Sequence, residues 1–259
     1  LIKKKLNFHL DSFRFRKYRG VYKDNKLIFQ MLDMGEITRM RSDLFETKEP
    51  ETLKWIDSFL PEDKFLDIGA NVGVFSIYAA LNKIDVIAIE PDALNYALLN
   101  INIRKNNLNK FILPYSIAFN DSEKFSFFNI SSIEWGGALN AFDNELDFKG
   151  NRFKPIHRQG VYGLPLDKFI DSIGVKPNHI KIDVDGNEFL ILKGAKDILK
   201  SENLKSLLVE LDESRNDYED SLKLIKSCGL VLEEKTHAKM FDNAKFATTY
   251  NHIFFRKKN

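Results

Sequence analysis

Short apolar runs and amphipathic stretches alternate along this chain, and the alternation marks its elements. Residues 65–68 (FLDI), 84–90 (IDVIAIE) and 206–212 (SLLVELD) are almost continuously apolar until a terminal acid, the pattern of parallel strands buried on both faces. Residues 111–118 read as a third strand of the same kind. In 179–188 (HIKIDVDGNE), Ile180, Ile182 and Val184 alternate with Lys181, Asp183 and Asp185, so the polar side chains share one face of a strand. Residues 230–233 and 252–255 complete the strand set. Helical spacing fills the intervals. Pro50 opens a helix carrying Leu53, Ile56 and Leu60, and Pro61 stops it. Another begins near Val72, one over 93–106 presents Ala93, Ala97 and Ile101, and 164–173 is short. A helix after Gly186 carries Leu192, Ala195 and Leu199, and 216–227 is the last. Strands alternating with helices predict an α/β fold around a parallel sheet. Before residue 49 the pattern differs: 21–22 and 27–32 flank Lys23-Asp24-Asn25-Lys26 as a hairpin, and 36–41 reads as a third small strand. Residues 131–160 show no period.

Composition narrows the picture. The chain has 259 residues, 44% of them hydrophobic, which suits one large domain or a domain with an extension. The formal charge of +2 demands neither nucleic acid nor an acidic membrane as partner. Residues 1–20 interleave aromatic and basic side chains, a combination that binds single-stranded nucleic acid or belongs to a solvated helix whose aromatics pack on the domain. The single cysteine, Cys228, removes disulfide frameworks and thiolate clusters, and five scattered histidines have no ligand spacing. A reducing cytoplasm is the expected setting. No apolar run reaches the roughly 20 residues needed to span a bilayer. The chain starts without Met, which suggests trimming or excision from a longer protein. The expected division is an extension over 1–48, acting as a cap, and a main domain over 49–259.

The chemistry concentrates at strand ends. Gly69 and Gly73 let the chain turn tightly after the first buried strand, and the helix that follows offers unpaired N–H groups to an anionic ligand. A dinucleotide fingerprint would need glycine where Asn71 and Val74 stand, so a nicotinamide cofactor is disfavoured. Glu90 lies about twenty residues beyond the turn, at the end of the neighbouring strand, where a carboxylate accepts both hydrogen bonds of a ribose diol or caps the next helix. Ile117 and Ala118, ending the third strand, are expected beside an adenine. Trp135, Phe142 and His157 in the long loop are candidates for a substrate wall.

The spacing D-x-G-x-N-x-G over 67–73 resembles the first motif of S-adenosylmethionine (SAM) dependent methyltransferases. Taken with AIEPDALNYALLNIN and IKIDVDGNE, it resembles the FkbM family of these enzymes from about residue 49 onward. The family often has glutamate where Asp185 stands, and the first fifty residues match less clearly. The resemblance implies a Rossmann-like, seven-stranded class I sheet with helices on both faces. It also implies SAM as cofactor, with S-adenosylhomocysteine (SAH) as product, held by Asp67, Gly69, Asn71, Gly73, Glu90, Ile117 and Ala118. Methyl transfer would go to a hydroxyl of a sugar, polysaccharide precursor or secondary metabolite. Asp183 is the first candidate for the general base, with Asp185 and Glu188 in support; capping a helix or orienting the cofactor amine are its other readings. A divalent metal on Asp183 with Glu210 or Asp212 is a variant. An RNA or protein methyltransferase is the alternative, yet Asp183-Val184-Asp185-Gly186 stands where amino-group methylation usually has an Asn/Asp-Pro-Pro-aromatic run. A non-catalytic SAM-binding subunit is the other alternative.

Overall fold

The computed structural model describes residues 15–22, 25–237, 242 and 245–257. The aromatic and basic positions before residue 15, and the hairpin tip at 23 and 24, lie outside the described residues. Strands β1 (Phe15–Tyr22) and β2 (Asn25–Leu32) form an antiparallel hairpin. Helices α1 (Glu36–Asp43), α2 (Phe45–Lys48) and α3 (Pro50–Ile56) follow. The third small strand expected at 36–41 is thus a helix. Thr38, Ser42, Phe45 and Glu49 are buried at spacings of four, three and four, a helical stripe, and the Thr38 hydroxyl accepts from the Met34 N–H at 2.9 Å to fix the start. Helix α3 stops before Leu60, which is exposed.

The main domain then runs β3 (Lys64–Ile68), α4 (Val74–Leu81), β4 (Asp85–Ile89), α5 (Ala93–Lys105) and β5 (Ile112–Tyr115). After β6 (Ala118–Phe119), β7 (Lys124–Ile130), β8 (Ala141–Phe142) and β9 (His157–Leu164) come α6 (Leu166–Ile173) and β10 (His179–Ile182). Helices α7 (Glu188–Lys193) and α8 (Lys196–Lys200), β11 (Ser206–Asp212), α9 (Tyr218–Ser227), β12 (Leu230–Thr236) and β13 (Thr249–Arg256) complete the order. Seven strands form the central sheet in the order β12-β13-β11-β10-β3-β4-β5. Only β13 runs against its neighbours.

Alternation across β3 sends Phe65 into one apolar layer, with Leu53, Ile77 and Leu98 of α3, α4 and α5, and Leu66 and Ile68 into the other, with Ile170, Ile191 and Ile225 of α6, α7 and α9. The sheet is therefore buried on both faces. Phe29, Met31 and Leu32 of the hairpin belong to the first layer, so residues before 49 share its core.

Three local readings change. On α5 the buried face is Asn95, Leu98, Leu99 and Asn102, whereas Ala93 and Ala97 are exposed. The reason is polar: the Asn102 side chain accepts from Leu32 N–H at 2.8 Å and donates to the Val72 carbonyl at 2.9 Å, tying the hairpin to the glycine turn. The third strand ends at Tyr115; Ala118 and Phe119 leave the main sheet and pair with β9. The long irregular segment contains β8 and feeds β9, so together with β6 and β7 it makes a second sheet in the order β6-β9-β7-β8. Among the described residues no helix is long and apolar enough to cross a membrane.

Candidate active site

The site is built where β3 turns into α4. Gly69 (φ +85°), Asn71 (φ 50°) and Gly73 (φ 90°) all take the left-handed region, and asparagine tolerates it because its side chain bonds locally. Asn71 Oδ1 accepts from the Val72 N–H at 2.9 Å. A Cβ at Gly69 would lie 1.9 Å from the Asp183 carbonyl oxygen, so the turn and the end of β10 touch backbone to backbone. The Asp183 N–H reinforces this by donating to the Ile68 carbonyl at 3.1 Å.

Beneath the turn, Asp67 is buried and accepts from the Ser76 hydroxyl at 2.6 Å, while its other oxygen has no hydrogen-bond partner among the described residues and burial raises its pKa. Glu90 is also buried. Its two oxygens accept from the Asn71 N–H at 2.7 Å and the Asp92 N–H at 2.8 Å, and burial pushes its carboxyl up to about 8. Asp92 caps α5 in turn, accepting from the Leu94 and Asn95 N–H groups. Residues 131–139 cross above: the Gly137 carbonyl accepts from the Asn71 and Asn95 amides at 2.8 and 3.0 Å, and Gly136 donates to Asn95 at 2.9 Å.

A cavity of about 600 Å³ opens beside this turn. Gly69 and Asn71 form one wall, Asp183, Asp185 and Glu210 the strand-end wall, and Arg41, Lys48 and Glu49 the roof. Lys181 lies under the acids, fully buried, with Nζ 2.6 Å from Asp183 Oδ2 and 5.2 Å from the Phe75 ring. Burial alone would depress its ammonium, but Asp183, Glu49 and Asp67 hold it above the usual lysine value. Burial likewise opposes ionisation of Asp183, and Lys181, Lys48 and Arg41 overcome that and lower its pKa. Asp185 (φ 63°) accepts from the Leu139 N–H at 2.6 Å; burial and the Asp183 charge raise it to about 6. Glu210 is raised well above its ordinary value by burial, then by Asp183 and Glu49. In the roof, Lys48 pairs with Glu49 at 2.6 Å, and the Arg41 Nε–H donates to the Gly136 carbonyl at 2.8 Å.

The residues singled out from sequence therefore divide. Gly69, Asn71, Asp183 and Asp185 line the cavity, and the shared polar face of β10 is real. Asp67, Gly73 and Glu90 build the turn from behind. Glu188 accepts from the Val184 and Gly186 N–H groups at 3.2 and 3.0 Å, holding the β10–α7 turn instead of facing the cavity; burial raises it to about 7. Ile117 and Ala118 lie outside the lining, because the third strand ends before them. The substrate wall is not as expected. Phe142 is core between β7 and β9, in contact range of Gly163, Trp135 packs on the first apolar layer, and His157 opens a separate cleft. The metal variant finds no support: Asp212 is taken by Ser214, Thr248 and Thr249 hydroxyls, and no group of metal-binding side chains occurs among the described residues. Arg41, Lys48 and Glu49 were missed, because the stripe that buries their helices runs through polar Thr38, Ser42 and Glu49 and shows no apolar period in the sequence.

A family model described as "Methyltransferase FkbM domain" matches residues 67–232. A search of curated proteins found no match. Among solved structures, the chain is similar to the methyltransferase FkbM from Methylobacillus flagellatus at 17% identity and a TM-score of 0.52, over 85% of this chain and 52% of that one. It thus spans about half the length of that relative. It is similar to the M. jannaschii tRNA m1G37 methyltransferase at 16% identity and TM-score 0.50, over 94% of this chain and 56% of that one. Fibrillarin from Aeropyrum pernix, solved with S-adenosyl-L-methionine bound, matches at 11% identity and TM-score 0.50, over 95% and 83% of the two chains. The structural likenesses establish the fold, a class I methyltransferase sheet, and the family model covers more than half of the sequence: the chain belongs to the FkbM methyltransferase domain family.

Proposed function

We propose that the chain is a SAM-dependent O-methyltransferase acting on a hydroxyl of a sugar, polysaccharide precursor or secondary metabolite. The observation that carries this reading is the acid-lined cavity joining the glycine turn to the ends of β10 and β11. The residues fit a cationic donor: Asp183 stays ionised, and Asp185 and Glu210 gain from a positive charge because each lies in a crowd of acids. Bound SAM supplies an electrophilic methyl on a sulfonium. Asp67, Asn71 and Glu90 would hold it through the turn they shape, with Gly69 and Gly73 giving the close approach.

The protein's own task is alignment and removal of the hydroxyl proton. Asp183 was the first candidate base, but its tight pairing with Lys181 makes it a weak acceptor. Asp185, near neutral in pKa and in the cavity, matches the task better, and Asp183 positions and charges the site. Arg41 and Lys48 close the roof over it.

The test couples binding to turnover. Calorimetry is expected to show SAH binding and no NAD binding, and hydroxylated acceptors are screened by SAH release. Asp185→Asn should lower turnover roughly 10² to 10⁴-fold with affinity for the uncharged sulfide SAH little changed, whereas Asp183→Asn should weaken both. NAD binding without SAH binding overturns the reading.

A further inference from the structure

A second cleft, of about 720 Å³, lies along the segment that leads into the start of β9. Its walls are Arg152, Lys154, His157, Arg158 and Glu145, with Phe153 between them. Phe153 also lines the acid-lined cavity, so the two spaces meet at one half-buried aromatic ring. The segment carrying these residues is a built hairpin. Leu146 bridges Arg152, the Phe153 N–H donates to the Glu145 carbonyl at 3.0 Å, and Asp147 Oδ1 accepts from the Lys149 and Asn151 N–H groups at 3.0 and 2.9 Å. Arg158 pairs with Glu145 and lies 5.8 Å from the centre of the exposed Phe127 ring. Arg152 and Lys154 are exposed and enter no ion pair among the described residues. Lys245 lines the inner cavity, 5.0 Å from the centre of the Phe148 ring.

Resting on the O-methyltransferase reading, we propose that the acceptor is an anionic saccharide, whose hydroxyl enters the inner cavity while its charged remainder crosses Phe153 into the outer cleft. The division of charge argues for it. The inner cavity is acidic and suits the donor, so an acidic group on the acceptor is repelled there and must be held elsewhere. Arg152 and Lys154, uncommitted and flanking Phe153 in sequence, hold it: guanidinium and ammonium bind carboxylate or phosphate oxygens, and an aromatic ring packs against the C–H face of a sugar. A polynucleotide fits less well. The chain's formal charge is only +2, and Glu145 and Asp147 interrupt the path, so the broad positive field that nucleic acids require is lacking.

The experiment measures binding of four probes to the full chain in the presence of SAH: octagalacturonate, pentamannosyl phosphate, neutral maltooctaose and oligouridylate of eight nucleotides. At least one of the two anionic saccharides should bind about tenfold or more tightly than maltooctaose, with an affinity that falls as salt rises. Arg152→Glu with Lys154→Glu should abolish that preference, and the neutral pair Arg152→Gln with Lys154→Gln should reduce it. SAH affinity should stay unchanged in both. Equal binding of charged and neutral saccharides, tighter binding of oligouridylate, or indifference to the paired substitutions overturns the proposal. Loss of SAH binding by the unaltered protein would instead overturn the methyltransferase reading on which it rests.

Discussion

Strands β10 and β11 lie side by side, and their two ends differ in how completely their polar groups are paired. At the amino-terminal end, His179, Ser206 and Asp63 are buried and form a directed chain. Trp55 Nε1–H donates to Ser206 Oγ at 2.8 Å, the hydroxyl donates to His179 Nδ1 at 2.7 Å, and His179 Nε2–H donates to Asp63 at 3.0 Å. Asp63 also accepts from Lys205 at 2.5 Å and from the Leu60 N–H at 2.9 Å. The Phe59 ring stacks on His179 at 3.7 Å, and burial drives the imidazole down to about 4, keeping it neutral. Only four residues further along β10, the opposite rim crowds Asp183, Asp185 and Glu210 against Arg41 and Lys48. One end is a finished network, and the other holds excess acid. The fold thus pairs its buried polar groups fully at one end of the strands and leaves acids in excess at the other, beside the cavity proposed to take the donor.

Removing the cation that restrains the acidic end should have the largest effect. Lys181→Met leaves Asp183, Glu49 and Asp67 without their shared counter-charge, and denaturant unfolding should show a loss of about 3 to 5 kcal/mol. A loss below about 1 kcal/mol would mean that the acids simply protonate, and the contrast between the ends would shrink. Ser206→Ala at the closed end should lose about 1 to 3 kcal/mol, because Trp55 and His179 each forfeit a buried partner. SAH affinity should not change, and a change would show that the two ends communicate. Smaller is the pH effect, and it has opposite signs at the two ends. Glu90, Glu188 and Asp185 have raised folded values of about 8, 7 and 6, so the stability they contribute is full below their ordinary values near 4 and is lost as pH rises through those folded values. His179 is lowered, so its contribution is present above 6.5 and is lost as pH falls towards 4. The two windows overlap between about 4 and 6.5, and three acids there oppose one histidine, so unfolding followed from pH 4 to 9 should show stability falling as pH rises, while SAM affinity should rise with pH where Asp185 ionises. A flat profile would remove the electrostatic distinction.

The sheet was legible in sequence because each strand carries its own apolar signal. Phe65, Val86 and Ile180 need only local pattern to be placed, and the strand-end positions of Asp183 and Glu90 follow from it. The roof was not legible. Arg41 and Lys48 sit in a stretch whose buried positions, Thr38 and Ser42, are polar, so a reading based on apolar period misses the helix. Strand β7 and its sheet escaped for a related reason: Phe125 and Phe127 face solvent, while Phe128 and Ile130 face inward, and the run lacks clean alternation of polarity. Asn95 and Asn102 on the buried face of α5 hid a tertiary function, the fastening of the turn and hairpin, that no local rule contains.

The contact at Gly69 sets the terms on which this protein can be redesigned. Since the Asp183 carbonyl stands 1.9 Å from where a side chain would begin, and a Cβ at Gly73 would meet Leu99 at 2.5 Å, neither wall of the donor half yields to substitution. The hairpin at 145–153 and the roof helices are joined to it through side chains and loops. On the proposed reading of the site, acceptor preference is a graftable trait: exchanging those two attachments between relatives should retarget the enzyme, while the glycine turn and β10 travel together as one heritable block.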